Sequence, residues 1–273
     1  MNWLSVRVRP SGSPDAALAA LFEMGSEGVH ESGEELVTHF PGDTDAGMIE
    51  AAVRAADPEA LVVTTLVPAV DWSEAWKFGV GAHELGALAI VPPWLAEGRD
   101  PARTIVIEPE MAFGTGEHQT TRGVVRLLPT VIHAGDRVAD LGAGSAVLAI
   151  AAVKLGAAHV TAIELDHDAI ANAQQNVEHN GVAGRVTVIE GDAAILLPLV
   201  APVRVVLANI ISSVLLQLLP IIASALTDDG EAVLSGILVD ERDMMLEALA
   251  AGGWTQLGED VEGSWWSTRI ARR

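Results

Sequence analysis

Residues 137–166, RVADLGAGSAVLAIAAVKLGAAHVTAIELD, constrain the fold of this chain more tightly than any other stretch. A short apolar run at 137–141 ends in Gly142-Ala143-Gly144, and residues 146–155 are an unbroken set of good helix formers stopped by Gly156. A second apolar run at 159–163 is closed by Glu164. The stretch reads as strand, glycine turn, helix, strand, acid. Glycine lets a backbone approach a ligand closely, a helix start can aim free amides at it, and an acid at the next strand end can take a pair of ribose hydroxyls. The segment therefore predicts a cradle for a nucleoside cofactor.

The flanking pattern predicts how the cradle is housed. Residues 3–67 read as βαββαβ: strand 3–8, helix 14–24 with Ser13 as its N-cap, strands 29–31 and 36–40 joined at Ser32-Gly33, helix 45–56 capped by Thr44 or Asp45, and strand 61–67. That order is the ferredoxin-like arrangement of a small α+β domain. Residues 68–103 read as an irregular interdomain linker holding Trp72, Trp76 and Trp94, a hydrophobic cluster between domains, with one strand at 87–91. From 104 to 273 strands alternate with helices: strands at 104–108, 137–141, 159–163, 185–190, 203–208 and 231–234, helices at 120–128, 146–155, 168–179, from about 211 to 226 and at 239–251, then a strand pair near 254–257 and 265–271. Such alternation predicts an α/β fold, a mostly parallel sheet with helices on both faces.

Charge and composition narrow the function. With 37 acidic against 16 basic Lys and Arg residues, the net charge of −21 disfavours a phosphate backbone as main partner, since such binding relies on clustered cations. The absence of cysteine excludes disulfides, thiolate metal sites and a cysteine nucleophile. Residues 1–7 have no basic segment followed by an apolar stretch, so no signal peptide is expected; the run 205–219 is too short and too polar to span a membrane. A cytoplasmic setting is the expectation.

The glycine spacing distinguishes cofactors. Counted as G-x-G-x-x-G/A from Gly142, the third small position falls on Val147, which disfavours a nicotinamide cofactor; the absence of tyrosine also removes one common proton donor of oxidoreductases. Counted as D-x-G-x-G-x-A, the match is Asp140, Gly142, Gly144 and Ala146, which resembles the first motif of class I S-adenosylmethionine-dependent methyltransferases. Glu164, Asp192 and Asn209 each follow an apolar strand, in phase with a ligand lying across the strand ends.

A more specific resemblance rests on IEPEMAFGTGEHQTTR (107–122), DLGAGSAVLAIAAVKLGA (140–157), VLANI (206–210), LSGIL (234–238) and DWSEAW (71–76). Together these blocks closely resemble the ribosomal protein L11 methyltransferase family, from about residue 3 to the C-terminus. The resemblance implies a Rossmann-like seven-stranded methyltransferase domain preceded by the ferredoxin-like domain. It implies S-adenosylmethionine as methyl donor and amino groups of ribosomal protein L11 as acceptors, docked by the N-terminal domain. From the charge, the hydropathy and the lack of ligands at metal spacing, no direct nucleic-acid contact, no membrane span and no metal are expected, and the chain is expected to be a monomer. Carried onto this chain, Thr121, Gly142, Glu164 and Asn209 bind the cofactor, with Gly144, Asp192 and Phe113 beside them. Phe113, Gly114, Thr115 and Gly116 form a loop closing over it, and Asn209 is also the catalytic residue that positions the amine. His118 invites a general-base or metal reading, but no second ligand lies at metal spacing and the family match carries no such role for it. The chain departs from the family at Glu110, where glycine is usual, at Ala146, which replaces the third glycine, and at Ala143. Two runner-up readings are a methyltransferase of the same fold acting on another protein lysine or a small amine, and a nicotinamide-dependent oxidoreductase.

Overall fold

The computed structural model describes residues 2–67, 80–109 and 113–272. Its contacts divide the chain into two compact units, Met1–Gly79 and Val80–Arg273. Trp72 and Trp76 of the expected tryptophan cluster, and Glu110, lie outside the described residues.

The first unit runs β1 (Trp3–Arg9), α1 (Asp15–Glu23), β2 (His30–Ser32), β3 (Glu35–Pro41), α2 (Ala46–Ala56), β4 (Leu61–Val67). Its strands are ordered β2-β3-β1-β4, every neighbouring pair antiparallel. The inward positions of β1 and β3, among them Leu4, Val6, Val8, Leu36 and Phe40, bury against Leu21, Ile49 and Val53 of the two helices. Alternation with period two therefore selects one face of the sheet for the helices. One local expectation shifts by a residue: the N-cap position of α1 is Pro14, with no side-chain cap, while Ser13 just before it accepts from the Asp15 amide at 3.5 Å and donates to the Asp15 carboxylate at 2.6 Å. Asp45 caps α2 as expected, accepting from the Gly47 amide at 2.8 Å.

The second unit opens with β5 (His83–Leu85), β6 (Leu88–Val91) and β7 (Thr104–Val106) in one small sheet, so residues 83–85 are strand where an irregular segment was expected. Then follow α3 (Gln119–Leu127), β8 (Arg137–Leu141), α4 (Val147–Lys154), β9 (His159–Glu164), α5 (His167–His179), β10 (Val186–Glu190) and α6 (Ala193–Val200). The chain continues through β11 (Val203–Asn209), α7 (Ser212–Ala225), β12 (Leu226–Leu238), α8 (Arg242–Ala251), β13 (Trp254–Glu262) and β14 (Trp265–Arg272). The large sheet is ordered β10-β9-β8-β11-β12-β14-β13, parallel from β10 to β12 and antiparallel at β14 and β13. Helix α6 was not anticipated; Pro198 inside it argues against a helix, yet Asp192 caps it at the start by accepting from the Ala194 amide at 2.8 Å.

The near-continuous apolar runs of the parallel strands follow from burial on both faces. Val138, Val160, Val205 and Leu207 pack with α3, α4 and α5 on one side, while Ala139, Ile163, Val206 and Ala208 pack with α7 and α8 on the other. Strand order reverses between β8 and β11, so the carboxyl ends of these two strands flank a switch point, where α/β sheets form their ligand crevice. Among the described residues no helix is long and apolar enough to cross a membrane.

Candidate active site

The turn after β8 is built by hydrogen bonds that its sequence only partly announces. The amides of Gly142 and Ala143 both donate to the Ile163 carbonyl, at 2.9 and 3.1 Å. Gly144 N–H donates to Glu164 Oε2 at 2.7 Å, Ser145 N–H to the Phe113 carbonyl at 2.9 Å, and Ala146 N–H to the Ala143 carbonyl at 2.8 Å. All five amides of residues 142–146 are thus consumed by the protein, so the turn itself offers no donor, and the expectation of free helix N-terminal amides rests on the start of α4 at Val147. A pyrophosphate depends on such donors. A cofactor without phosphates does not, and its recognition falls instead to Glu164 and the neighbouring side chains.

Glu164 is buried at the end of β9, with Oε2 bound to Gly144 N–H and Oε1 accepting from Asp166 N–H at 2.8 Å. Each carboxylate oxygen keeps a further lone pair for a hydroxyl. Gly144, at φ +52°, is required for closeness as well as conformation: a Cβ there would lie 2.4 Å from the Phe113 carbonyl oxygen. Ala146 occupies the left-handed region at φ 62° without being glycine. The family's third glycine is therefore missing where the backbone asks for one, at a cost of about 1–2 kcal/mol. Its methyl group is fully buried, which returns about 0.8 kcal/mol.

Asp140, one strand turn below, is fully buried; Oδ2 accepts from Ala149 N–H at 3.0 Å and Oδ1 has no partner among the described residues. Burial, reinforced by the negative charge of Glu164, pushes its carboxyl up to about 8. The native state then holds a proton that the unfolded chain has already lost above its ordinary value of 3.8. The contribution of Asp140 to stability is accordingly greatest below about pH 4 and falls as pH rises toward 8. Urea midpoints taken between about pH 5 and 8 should decline more steeply for the wild type than for Asp140→Asn; equal slopes would show that Asp140 does not retain its proton.

The Phe113 loop is docked on this turn. Besides the Phe113 carbonyl, the Ser145 hydroxyl donates to the Gly114 carbonyl at 2.8 Å, and on the far side Arg122 Nη1 donates to the carbonyls of Gly116 and Glu117 at 3.2 and 2.5 Å. The Phe113 side chain itself is exposed, its ring 5.0 Å from that of His118. His118 caps α3: its Nδ1 accepts from Thr120 N–H at 3.4 Å and pairs with the Thr120 hydroxyl at 2.7 Å, while its other ring contact is Trp265 at 5.0 Å. Burial, then the charge of Arg122, holds its imidazole below the ordinary value, which favours the neutral ring that capping needs. Among the described residues no group of three His, Cys, Asp or Glu side chains is placed to hold a metal.

Asn209 terminates β11 and is half-buried, with Nδ2 3.5 Å from the hydroxyl of Thr121, which is itself buried in the first turn of α3. With the nitrogen turned to Thr121, Oδ1 is the amide atom left to accept, and it takes no hydrogen bond among the described residues. The next residue, Ile210, lies over Gly142, where a Cβ would meet its Cγ1 at 3.0 Å. Phe113, Thr121, Gly142, Gly144, Glu164 and Asn209 are thereby joined by contacts along the strand ends. Asp192 stands one strand farther out, exposed, beyond the Gly191 amide that donates to the Glu164 carbonyl at 2.8 Å.

Several supporting residues were not anticipated. Asn172, Asn176 and Asn180 recur every four residues along α5 and its C-cap, and they zip onto the backbone that leads into the Phe113 loop. Asn180 bonds both the amide and the carbonyl of Val106, Asn176 Oδ1 accepts from Glu108 N–H, and Asn172 Nδ2 donates to the Glu108 carbonyl. Asn176 also donates to the Ser145 carbonyl at 3.1 Å, so one side chain ties the loop's stem to the turn. The four-residue spacing is visible in the sequence, but the edge it grips is not.

The family model described as "Ribosomal protein L11 methyltransferase (PrmA)" matches residues 14–273. A ribosomal protein L11 methyltransferase from Thermus thermophilus is 34% identical over 252 residues, 92% of this chain and 92% of its own length. One from a Synechococcus strain is 32% identical, with 99% of this chain and 97% of the relative covered. Among solved structures, a ribosomal protein L11 methylase from Lactobacillus delbrueckii subsp. bulgaricus is similar with a TM-score of 0.63 and 31% identity, over 71% of this chain and 99% of that one.

Proposed function

Because this chain belongs to the ribosomal protein L11 methyltransferase family, we propose that it transfers methyl groups from S-adenosylmethionine to amino groups of ribosomal protein L11, with Asn209 presenting the amine. The observation that carries this reading is the placement of Asn209 and Thr121 beside a glycine turn whose amides are all spent internally, one of them on the buried Glu164 carboxylate. The residues present fit such a cofactor. Glu164 would offer its two carboxylate oxygens to a ribose diol, Asp192 would accept from an adenine amino group, and Gly142 and Gly144 let Ile210 and the Phe113 backbone close on the turn. Thr121, Asn209 and the Phe113 loop complete the set.

When bound, S-adenosylmethionine supplies a methyl group on a cationic sulfur, already activated for transfer. The protein's remaining task is to hold the acceptor in line and keep water out. A lysine amine, with a pKa of about 10.4, arrives protonated at neutral pH. A neighbouring positive charge favours its neutral form, so no dedicated strong base is required. Asn209 Oδ1, with the carbonyl of Asn209 or Ile210, accepts the amine's N–H bonds and thereby aims its lone pair. Repeated methylation then requires the amine to turn and be held again. Residues 1–67 serve as the substrate-recognition domain, and the second unit, which opens at Val80, catalyses. The setting is cytoplasmic and the working form a monomer.

The test combines purified protein, methyl-labelled S-adenosylmethionine and purified ribosomal protein L11. Label should enter L11 and mass spectrometry should place it on amines. Label on L11 at a site other than nitrogen, or in a ribosomal extract on a different protein only, would overturn the assignment.

A further inference from the structure

The block LSGIL, part of what makes the sequence distinctive, has no role in the chemistry above. Its Ser235 pairs with Asn209 in the parallel register of β11 and β12, and its carbonyl accepts the Ile210 amide at 3.0 Å. Directly after it the register between β12 and β14 shifts, between Leu234 and Ile237, and Gly236 takes φ +82°. This irregularity brings the Gly236 backbone against the Ile210 peptide: a Cβ on Gly236 would stand 2.5 Å from the Ile210 carbonyl oxygen, 2.7 Å from its carbon and 3.0 Å from its nitrogen. The Ile210 side chain, in turn, covers Gly142, whose added Cβ would lie 3.0 Å from it. Ile210 is therefore gripped between two glycines, one against its peptide and one beneath its side chain.

The same bulge also reaches α3. The Ser235 hydroxyl, fully buried, lies 3.2 Å from the Thr120 carbonyl, to which it donates, and 2.7 Å from the Ser267 hydroxyl. Thr120 immediately precedes Thr121, the residue facing Asn209. Both partners of the Asn209–Thr121 contact are thus braced by adjacent residues of one strand.

We propose that Ser235-Gly236 is the positioning element of the transfer reaction, setting the place of the Asn209-Ile210 acceptor groups relative to the turn at Gly142. The proposal rests on the reading of Asn209 and its neighbouring carbonyls as the groups that hold the target amine. Neither Ser235 nor Gly236 touches the reacting atoms; they act through Ile210 and Thr120. Under 3.0 Å no ordinary side-chain carbon is tolerated next to backbone, so a methyl group at 236 forces the Ile210 peptide to move. Misplacement of an acceptor by about 1 Å costs on the order of a hundredfold in rate.

The test compares Gly236→Ala with Gly253→Ala, which places alanine at a similar positive φ of +75° but with nothing within 4 Å of its Cβ. Methyl transfer to ribosomal protein L11 is measured per cofactor-binding site, and the affinity for S-adenosylmethionine is measured separately by calorimetry. Gly236→Ala should lower kcat at least about tenfold while the Kd for S-adenosylmethionine, held mainly at Glu164, changes less than about threefold. Gly253→Ala should leave both unchanged. Equal kcat for Gly236→Ala and wild type, or equal losses in both variants, would overturn the proposal. If Gly236→Ala does not fold, Ser235→Ala decides, because it keeps the backbone bond to Ile210 and removes only the hydroxyl brace. A kcat lowered by about threefold or more at unchanged Kd supports the positioning role, and an unchanged kcat refutes it. Asn209→Ala measured alongside separates the two layers: full activity there sinks the underlying reading, whereas its inactivity beside a fully active Gly236→Ala sinks only the inference.

Discussion

Asn209→Ala is expected to lose methyl transfer by on the order of a hundredfold or more in kcat while leaving the fold nearly intact. The side chain is half-buried and its one hydrogen bond among the described residues, to Thr121, is a long 3.5 Å, so its removal takes little from stability. What it removes is the proposed acceptor at the end of β11, and with it the constraint assigned to it on the amine's lone pair. Thermal melting within a few degrees of wild type, together with a collapsed kcat, is the expected pair of results. Normal methylation of ribosomal protein L11 by this variant would sink the assignment of Asn209.

Glu164→Ala should act on the cofactor and on the scaffold at once. Its carboxylate is the acceptor for the amides of Gly144 and Asp166, and truncation leaves both without their partner, at about 1–3 kcal/mol for a donor that stays buried. The charge-assisted bonds proposed to the ribose hydroxyls disappear as well. A loss of about 3 kcal/mol of binding corresponds to a rise in Kd of about a hundredfold. Glu164→Gln refines the test, since an amide keeps one acceptor oxygen but sets its NH2 against one of the two backbone donors. It should bind more weakly than wild type and more tightly than Glu164→Ala. Calorimetry showing an unchanged Kd for S-adenosylmethionine in Glu164→Ala would contradict the role given to this residue.

Both expectations concern residues at strand ends, and strand ends were the most legible part of the chain. Apolar runs buried on two faces, interrupted by Gly142-Ala143-Gly144 and closed by Glu164 and Asn209, place those residues on one rim through backbone periodicity alone. The parallel strand-helix alternation of the large sheet and the β-α-β-β-α-β order of the first unit were readable for the same reason, whereas the count of seven strands came with the family resemblance and the strand read at 104–108 joins β5 and β6 in a separate small sheet. Boundaries were less so: β12 extends over Leu226–Leu238 where only 231–234 stood out, because Leu226 pairs with Val203 of β11 at one end and Ile237 and Leu238 pair with Trp266 and Trp265 of β14 at the other. Helix α6 was hidden by Pro198, whose effect on a helix end depends on what the preceding carbonyl can do in the fold.

What the chain announces locally is the kind of turn, the class of cofactor it suits and the residues that stand at its rim, since periodicity and glycine stereochemistry act within a few residues. What only the tertiary structure decided is how those residues are held. Thr121 meets Asn209 across 88 positions of sequence, Ser235 braces Thr120 across 115, and Ala146 turns out to occupy a left-handed conformation at the spot where a glycine is missing. No local pattern encodes such approaches. They depend on where whole strands and helices come to rest when their apolar faces are buried, and on the small residues that let two backbones meet there.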